Sequence, residues 1–193
     1  NTLFLTCAQE IAKLAIDADR QCPSVKNIVE ALDSTPLLHT LREEYAVWHI
    51  DPPDGETDPL ILATLAAMNR SEEAQRRIDF DAHVAQLRSN WRAMADSSTL
   101  RAFKTIRNKV SAHTDVHLIG GKYKLLDIGQ LGIKWKDLRE SIEALQGLVE
   151  LVGLIVRCSS FSWDSLDSQL RKAASGYWNA LPEKAHATPR STD

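Results

Sequence analysis

The stretch Lys134-Trp-Lys-Asp-Leu-Arg-Glu-Ser-Ile-Glu-Ala-Leu-Gln-Gly-Leu-Val-Glu-Leu-Val-Gly-Leu-Ile-Val-Arg157 sets Leu138, Ile142, Leu145, Val149, Val152 and Ile155 at spacings of three or four. That is the period of one helical face, and it predicts a single strongly apolar helix over about 134–157. Its longest apolar run, Leu148 to Val156, is interrupted by Glu150 and is far too short to span a bilayer. The helix therefore belongs to a core, and it needs other helices to cover it.

The rest of the chain supplies them. Residues 3–20 carry Phe4, Cys7, Ala8, Ile11, Leu14, Ala15 and Ala18 at helical spacing. Ser24 can cap a short helix from Val25 to Leu32, and Thr35-Pro36 opens another with Leu38, Leu41, Tyr45 and Trp48 on one side. Asp51 to Asp58, with two prolines and Gly55, is a loop, after which Asp58-Pro59 restarts a helix. Ser71-Glu72-Glu73 reads as a fresh cap within or after it, followed by a long helix to about Ala95 through Ile78, Ala82, Ala85, Leu87, Trp91 and Met94. Ser97, Ser98 or Thr99 caps a further helix with the stripe Leu100, Phe103, Ile106 and Val110. A small hairpin turning at Gly120-Gly121 is expected near 116–126, and Ser162 caps a last helix ending near Ala180. With only 8 Gly and 7 Pro there are few breaks for a many-stranded fold. The expectation is an all-α bundle of five to seven helices in one domain, residues 1–181, with a polar disordered tail over 182–193.

At 193 residues, 44% hydrophobic and 25% charged, the chain has the profile of one soluble globular domain. Three scattered cysteines (Cys7, Cys22, Cys158) form neither a disulfide framework nor a zinc spacing, and a reducing cytoplasm is the natural compartment. No secretory signal pattern is visible. No metal-ligand cluster, Gly-rich phosphate loop or Ser-His-Asp set points to a metal, a cofactor or another enzyme class. The net charge of −3 argues against a general nucleic-acid coat. Between Thr99 and Arg139, however, nine basic residues face three acidic ones, a local excess of six that leaves about −9 on the remainder. Such a local field suits a polyanion, although lysines here would equally solvate exposed faces.

Inside that segment lies Ile106-Arg-Asn-Lys-Val-Ser-Ala-His-Thr-Asp115. Histidine titrates near neutrality and suits proton transfer, while arginine offers a permanent charge and a planar fork to phosphate oxygens. Metal-independent RNA cleavage needs a base for the 2′-hydroxyl, an acid for the leaving 5′-oxygen and charge stabilisation at phosphorus. Arg107 and His113 are the candidates, with Asn108 binding phosphate or orienting a partner. On an ideal helix Arg107 and His113 stand roughly 120° apart, so either the helix ends or distorts near His113 or a second copy of the chain supplies the complementary group. Lys104, Arg107 and Ser111 share a face and, with Lys109, make a cationic strip suited to a phosphate. Structural readings stand beside these. Arg107 could pair with an acidic residue on a neighbouring helix and fix packing, and His113 could cap a helix C-terminus. The five tryptophans read as core or interface anchors, with base stacking open to Trp135.

The run from Arg107 to His113 resembles the signature of HEPN domains, an arginine, four to six residues beginning with a polar one, then a histidine. The fuller Ile-Arg-Asn-Lys-x-x-Ala-His-x-Asp resembles the AbiU-type abortive-infection branch. The resemblance implies a dimeric all-α bundle whose two motifs meet in an interfacial cleft. It implies a metal-independent endoribonuclease acting on RNA as a toxin or anti-phage effector, with a cognate antitoxin protein as a partner and no membrane. The alternative is a non-catalytic HEPN-like module that binds a partner protein or RNA, or a purely structural bundle. Some toxin–antitoxin members carry a tyrosine where this chain has Asp115, so nucleotidylation is not carried over to this position. The bare spacing also fits Arg42 to His49, Arg76 to His83 and Arg77 to His83. Asn108, the Ala-His-x-Asp ending and the basic surroundings separate Arg107 from these rivals.

Overall fold

The computed structural model describes residues 2–19, 21–108, 117–119, 122–124 and 131–180. Among them are seven helices: α1 (Thr2–Ile16), α2 (Val25–Ala31), α3 (Thr35–Ala46), α4 (Pro59–Ala95), α5 (Ser98–Ile106), α6 (Trp135–Arg157) and α7 (Trp163–Ala180). A two-stranded antiparallel pair, β1 (His117–Ile119) and β2 (Lys122–Lys124), sits between α5 and α6 with Leu118 opposite Tyr123. The fold is all-α, and the strands fall where a hairpin was expected.

The starts of the helices follow local chemistry. Ser24 accepts the Asn27 N–H, Asp58 the Leu60 N–H and Ser97 the Leu100 N–H, each satisfying one of the donors a helix N-terminus leaves open. At α6 the carboxylate of Asp137 accepts the Lys134 N–H at 2.6 Å. The end of α6 is set by Cys158, at φ 49°, whose N–H returns to the Leu154 carbonyl. Gly153 makes that turn possible, because a Cβ there would stand 2.8 Å from the Ser159 carbonyl oxygen.

The body comprises residues 1–160. Here α4 packs chiefly on α6 and α3, while α1 lies on α5. The largest buried side chains are Phe80, Leu87, Phe103, Ile106, Leu148 and Ile155, drawn from α4, α5 and α6. Truncating such an aromatic to alanine costs about 3–5 kcal/mol. Gly132, at φ 65°, turns the chain between Leu131 and Ile133, which both pack on this core.

Three expectations are corrected. No break occurs at Ser71-Glu72-Glu73: α4 runs unbroken for 37 residues. Ser71 sits mid-helix, where Glu73 pairs with Arg77 one turn on. Nor does α4 bury Ile78, which is exposed; Phe80, Val84, Leu87 and Met94 form its core row, since the bulk of Phe80 turns that face inward. On α6, Ile142 and Val149 lie outside the core, which Leu138, Leu145, Leu148, Leu151 and Ile155 already fill.

Residues 161–193 form a separate unit, described through α7. There Phe161 packs on Trp163, ring centroids 4.4 Å apart, and Arg171 pairs with Asp167 at 2.7 Å. The tail assigned to 182–193 lies outside the described residues. Among the described residues no helix is long and apolar enough to cross a membrane.

Candidate functional site

The amphipathic α5 delivers Arg107. Leu100, Phe103 and Ile106 are buried, anchoring the helix at three- and four-residue spacing, so its opposite face presents Arg101 and Lys104 outward. The α-helix ends at Ile106, and helical backbone continues through Arg107, at φ −54° and ψ −50°, whose N–H returns to the Phe103 and Lys104 carbonyls. Val110 of the expected stripe lies outside the described residues, as do Lys109, Ser111, His113 and Asp115. The structure therefore brings together Lys104, Arg107 and Asn108 of the residues singled out from sequence.

These three line one groove of about 590 Å³. Ile16, Trp91 and Leu100 give it apolar lining, and Asp17, Lys26, Glu30 and Arg101 add charge to that of Lys104 and Arg107. Arg107 Nη2 donates to Asp17 Oδ2 at 2.9 Å, and Lys26 lies 3.6 Å from Glu30. Both carboxylates in the groove are thus matched. Arg101 and Lys104 have no ion-pair partner among the described residues, so the uncompensated positive charge of the groove is theirs.

Asp17 was not legible as a site residue, and it is the most firmly held group there. It ends α1, where an anion is disfavoured by the helix dipole. A dense corner compensates: Asp17 Oδ1 accepts the Asp19 N–H at 3.1 Å, and its backbone carbonyl accepts the buried Ser24 hydroxyl at 2.7 Å. Asn27 closes the corner by donating to the carbonyls of Asp19 and Cys22. The Asp19 N–H, and then the Arg107 guanidinium, hold the Asp17 carboxyl below the usual aspartate range, against the opposing effect of burial. An acid at a helix C-terminus was the available signal. Its misfit with the dipole calls for a cation nearby. The pairing expected as the structural alternative for Arg107 is present, yet it engages one nitrogen only. Nη1 and Nε take no hydrogen bond to another described residue.

The rival spacings have structural explanations. Arg42 grips Asp81 through Nε and Nη2, Arg77 donates to Glu43 at 2.9 Å, and Arg76 donates to the Tyr45 carbonyl at 2.8 Å while stacking over the rings of Tyr45 and Trp48. All three arginines fasten α4 to α3 and the segment after it. His83 Nδ1 stands 3.5 Å from the Tyr45 hydroxyl, and His49 pairs with Asp51 at the surface. Among the described residues no group of three or more His, Cys, Asp or Glu side chains is arranged to hold a metal ion.

An all-α bundle that ends a short amphipathic helix in Arg-Asn, beside a groove lined by Arg101 and Lys104, has the layout of a HEPN-type domain. Comparison with known families matches residues 1–177 to HEPN_AbiU2, described as AbiU2. The chain belongs to this AbiU2 family of HEPN domains. Neither a curated protein nor a solved structure matches it.

Proposed function

We propose that this protein is a metal-independent endoribonuclease of the HEPN type, acting in the cytoplasm as a toxin or anti-phage effector of abortive infection. Two copies of the chain share the catalytic cleft, and a cognate antitoxin protein restrains it. Arg107 stabilises the charge that develops on the phosphate, His113 transfers protons, and Asn108 orients the phosphate or a partner. Attack by the 2′-hydroxyl on phosphorus displaces the 5′-oxygen and leaves a 2′,3′-cyclic phosphate and a 5′-hydroxyl. Lys104, Lys109 and Ser111 bind the substrate backbone.

The observation that carries this reading is the placement of Arg107 and Asn108 on a groove where Arg101 and Lys104 have no ion-pair partner among the described residues. A polyanion would enter beside the arginine and find charge that no described carboxylate has taken. Among the described residues Nη1 and Nε of Arg107 are not engaged, which leaves them to a phosphate oxygen.

The test is cleavage of an end-labelled RNA by the purified protein in the presence of a chelator. Expected are 2′,3′-cyclic ends, and loss of about 10²–10³-fold in rate for Arg107→Ala. His113→Ala should abolish both cleavage and growth inhibition while the far-ultraviolet spectrum stays native. Full toxicity of His113→Ala would overturn the proposal.

The Arg107–Asp17 pair favours one second reading, a HEPN module that binds RNA or a partner protein without cleaving, because Asp17 offsets part of the charge that catalysis would draw on. Intact RNA in a stable complex, with no cyclic ends, would select it.

A further inference from the structure

Along α6, Trp135, Ile142, Val149 and Val156 follow one another at seven-residue intervals and are 59%, 42%, 43% and 47% exposed. A seven-residue repeat drifts by only about 20° per step on an α-helix, so the four side chains make one seam along the whole element. The seam borders the buried row of Leu138, Leu145, Leu148, Leu151 and Ile155 without belonging to it. A helix covering a core needs one apolar stripe, and its outer face is ordinarily polar. The second stripe on α6 stays largely open: Trp135 meets Phe4 of α1 edge-on, with ring centroids 5.2 Å apart, and Val156 borders a groove beside Leu37 and Leu41, while Ile142 and Val149 stand exposed between them.

We propose that this seam is the surface on which a second copy of the chain docks, with the two α6 helices antiparallel across a two-fold axis. The inference rests on the two-copy reading above and adds to it a surface and a direction. A two-fold interface must be complementary to itself. The seam meets that condition about its midpoint, between Leu145 and Gln146, where Ile142 falls opposite the second copy's Val149 and Trp135 opposite its Val156. Each end layer then joins a large ring to a small branched side chain.

Charge selects the direction. Arg139 and Glu150 flank the seam on its outer side, and neither takes part in an ion pair among the described residues. Antiparallel alignment brings Arg139 of one copy beside Glu150 of the other, and symmetry makes the contact twice. Parallel alignment would carry this flank of the two copies to opposite edges of the interface, where neither charge meets its complement. Rim charges of this kind fix register and partner choice.

The experiment is light scattering after size exclusion on the full 21.5 kDa chain, with dissociation constants from dilution. The wild type should run as a dimer. Val149→Glu should run as a monomer with an unchanged helical spectrum, since Val149 lies outside the core. Arg139→Glu should weaken the dimer by at least about tenfold, and adding Glu150→Arg to the same chain should restore it. A monomeric wild type would overturn both this surface and the two-copy reading. A dimer indifferent to Val149→Glu, or a charge-swapped double variant weaker than the single, would overturn the surface alone.

Discussion

Arg107 and Asp17, ninety residues apart in the chain, are joined by a single hydrogen bond from Nη2 to Oδ2 at 2.9 Å. The carboxylate is largely buried and wired into the corner between α1 and α2, whereas the guanidinium keeps a third of its surface open. Asp17 thus fixes where the arginine stands, and it lowers the net charge that the arginine offers.

Asp17 ties stability to pH in a defined direction. Its folded-state pKa is lowered, so the stabilisation is fully present above the ordinary aspartate value of about 4 and is lost as pH falls through the folded value. Asp17→Asn should therefore be less stable than the wild type at pH 7, with the gap closing on acidification below pH ~4. Urea midpoints measured at several pH values check this. A gap of constant size at every pH would contradict it.

The cations of the groove should govern salt dependence. Arg101→Ala and Lys104→Ala should each weaken RNA binding and reduce the slope of log affinity against log salt by about one. Asp17→Asn removes a negative charge from the same groove and should tighten binding severalfold. Fluorescence anisotropy with a short RNA over a salt series gives these quantities. Unchanged slopes for both alanine variants would place the RNA elsewhere.

The rival histidines should be silent. His83→Gln and His49→Gln should cleave RNA within about twofold of wild type, since neither sits on the groove. Arg77→Ala should lower stability through its lost contact with Glu43 while leaving activity per folded molecule intact. A loss of cleavage in His83→Gln without unfolding would move the site.

The end of α6 offers a stability test. Gly153→Ala forces a methyl onto the Ser159 carbonyl at 2.8 Å and should cost about 1–3 kcal/mol. Cys158→Gly relieves a left-handed residue and should be neutral or stabilising by up to about 1 kcal/mol. Thermal melts of the two variants shifting in the same direction would refute this account of the cap.

The helices were legible because their signals are local. Ser24, Asp58 and Ser97 announce their helices by capping, and Leu100, Phe103 and Ile106 repeat at the helical period. What escaped depends on which face wins when several are apolar. Ile78, Ala82 and Ala85 form a plausible stripe on α4, but the row of Phe80, Val84 and Leu87, led by the large Phe80 ring, takes the core. On α6 a single wide stripe hid two surfaces with different neighbours. Within the site, Arg107 and Asn108 were found from their own stretch, while Asp17 belongs to a distant turn and meets them only after folding. His113 remains a proposal from its sequence context.

The long α4 has one further consequence. At 1.5 Å per residue its 37 residues extend about 55 Å, yet every side chain it buries fully lies between Phe80 and Met94. Leu60, Ile61, Leu62 and Met68, in its first turns, are exposed, and the side chain of Asn69 clasps the backbone N–H and carbonyl of Ile50. Amide exchange along this one helix should therefore be graded. Deuterium should enter the turns before Asn69 through local fraying, while the amides from Phe80 onward exchange only when the whole body opens.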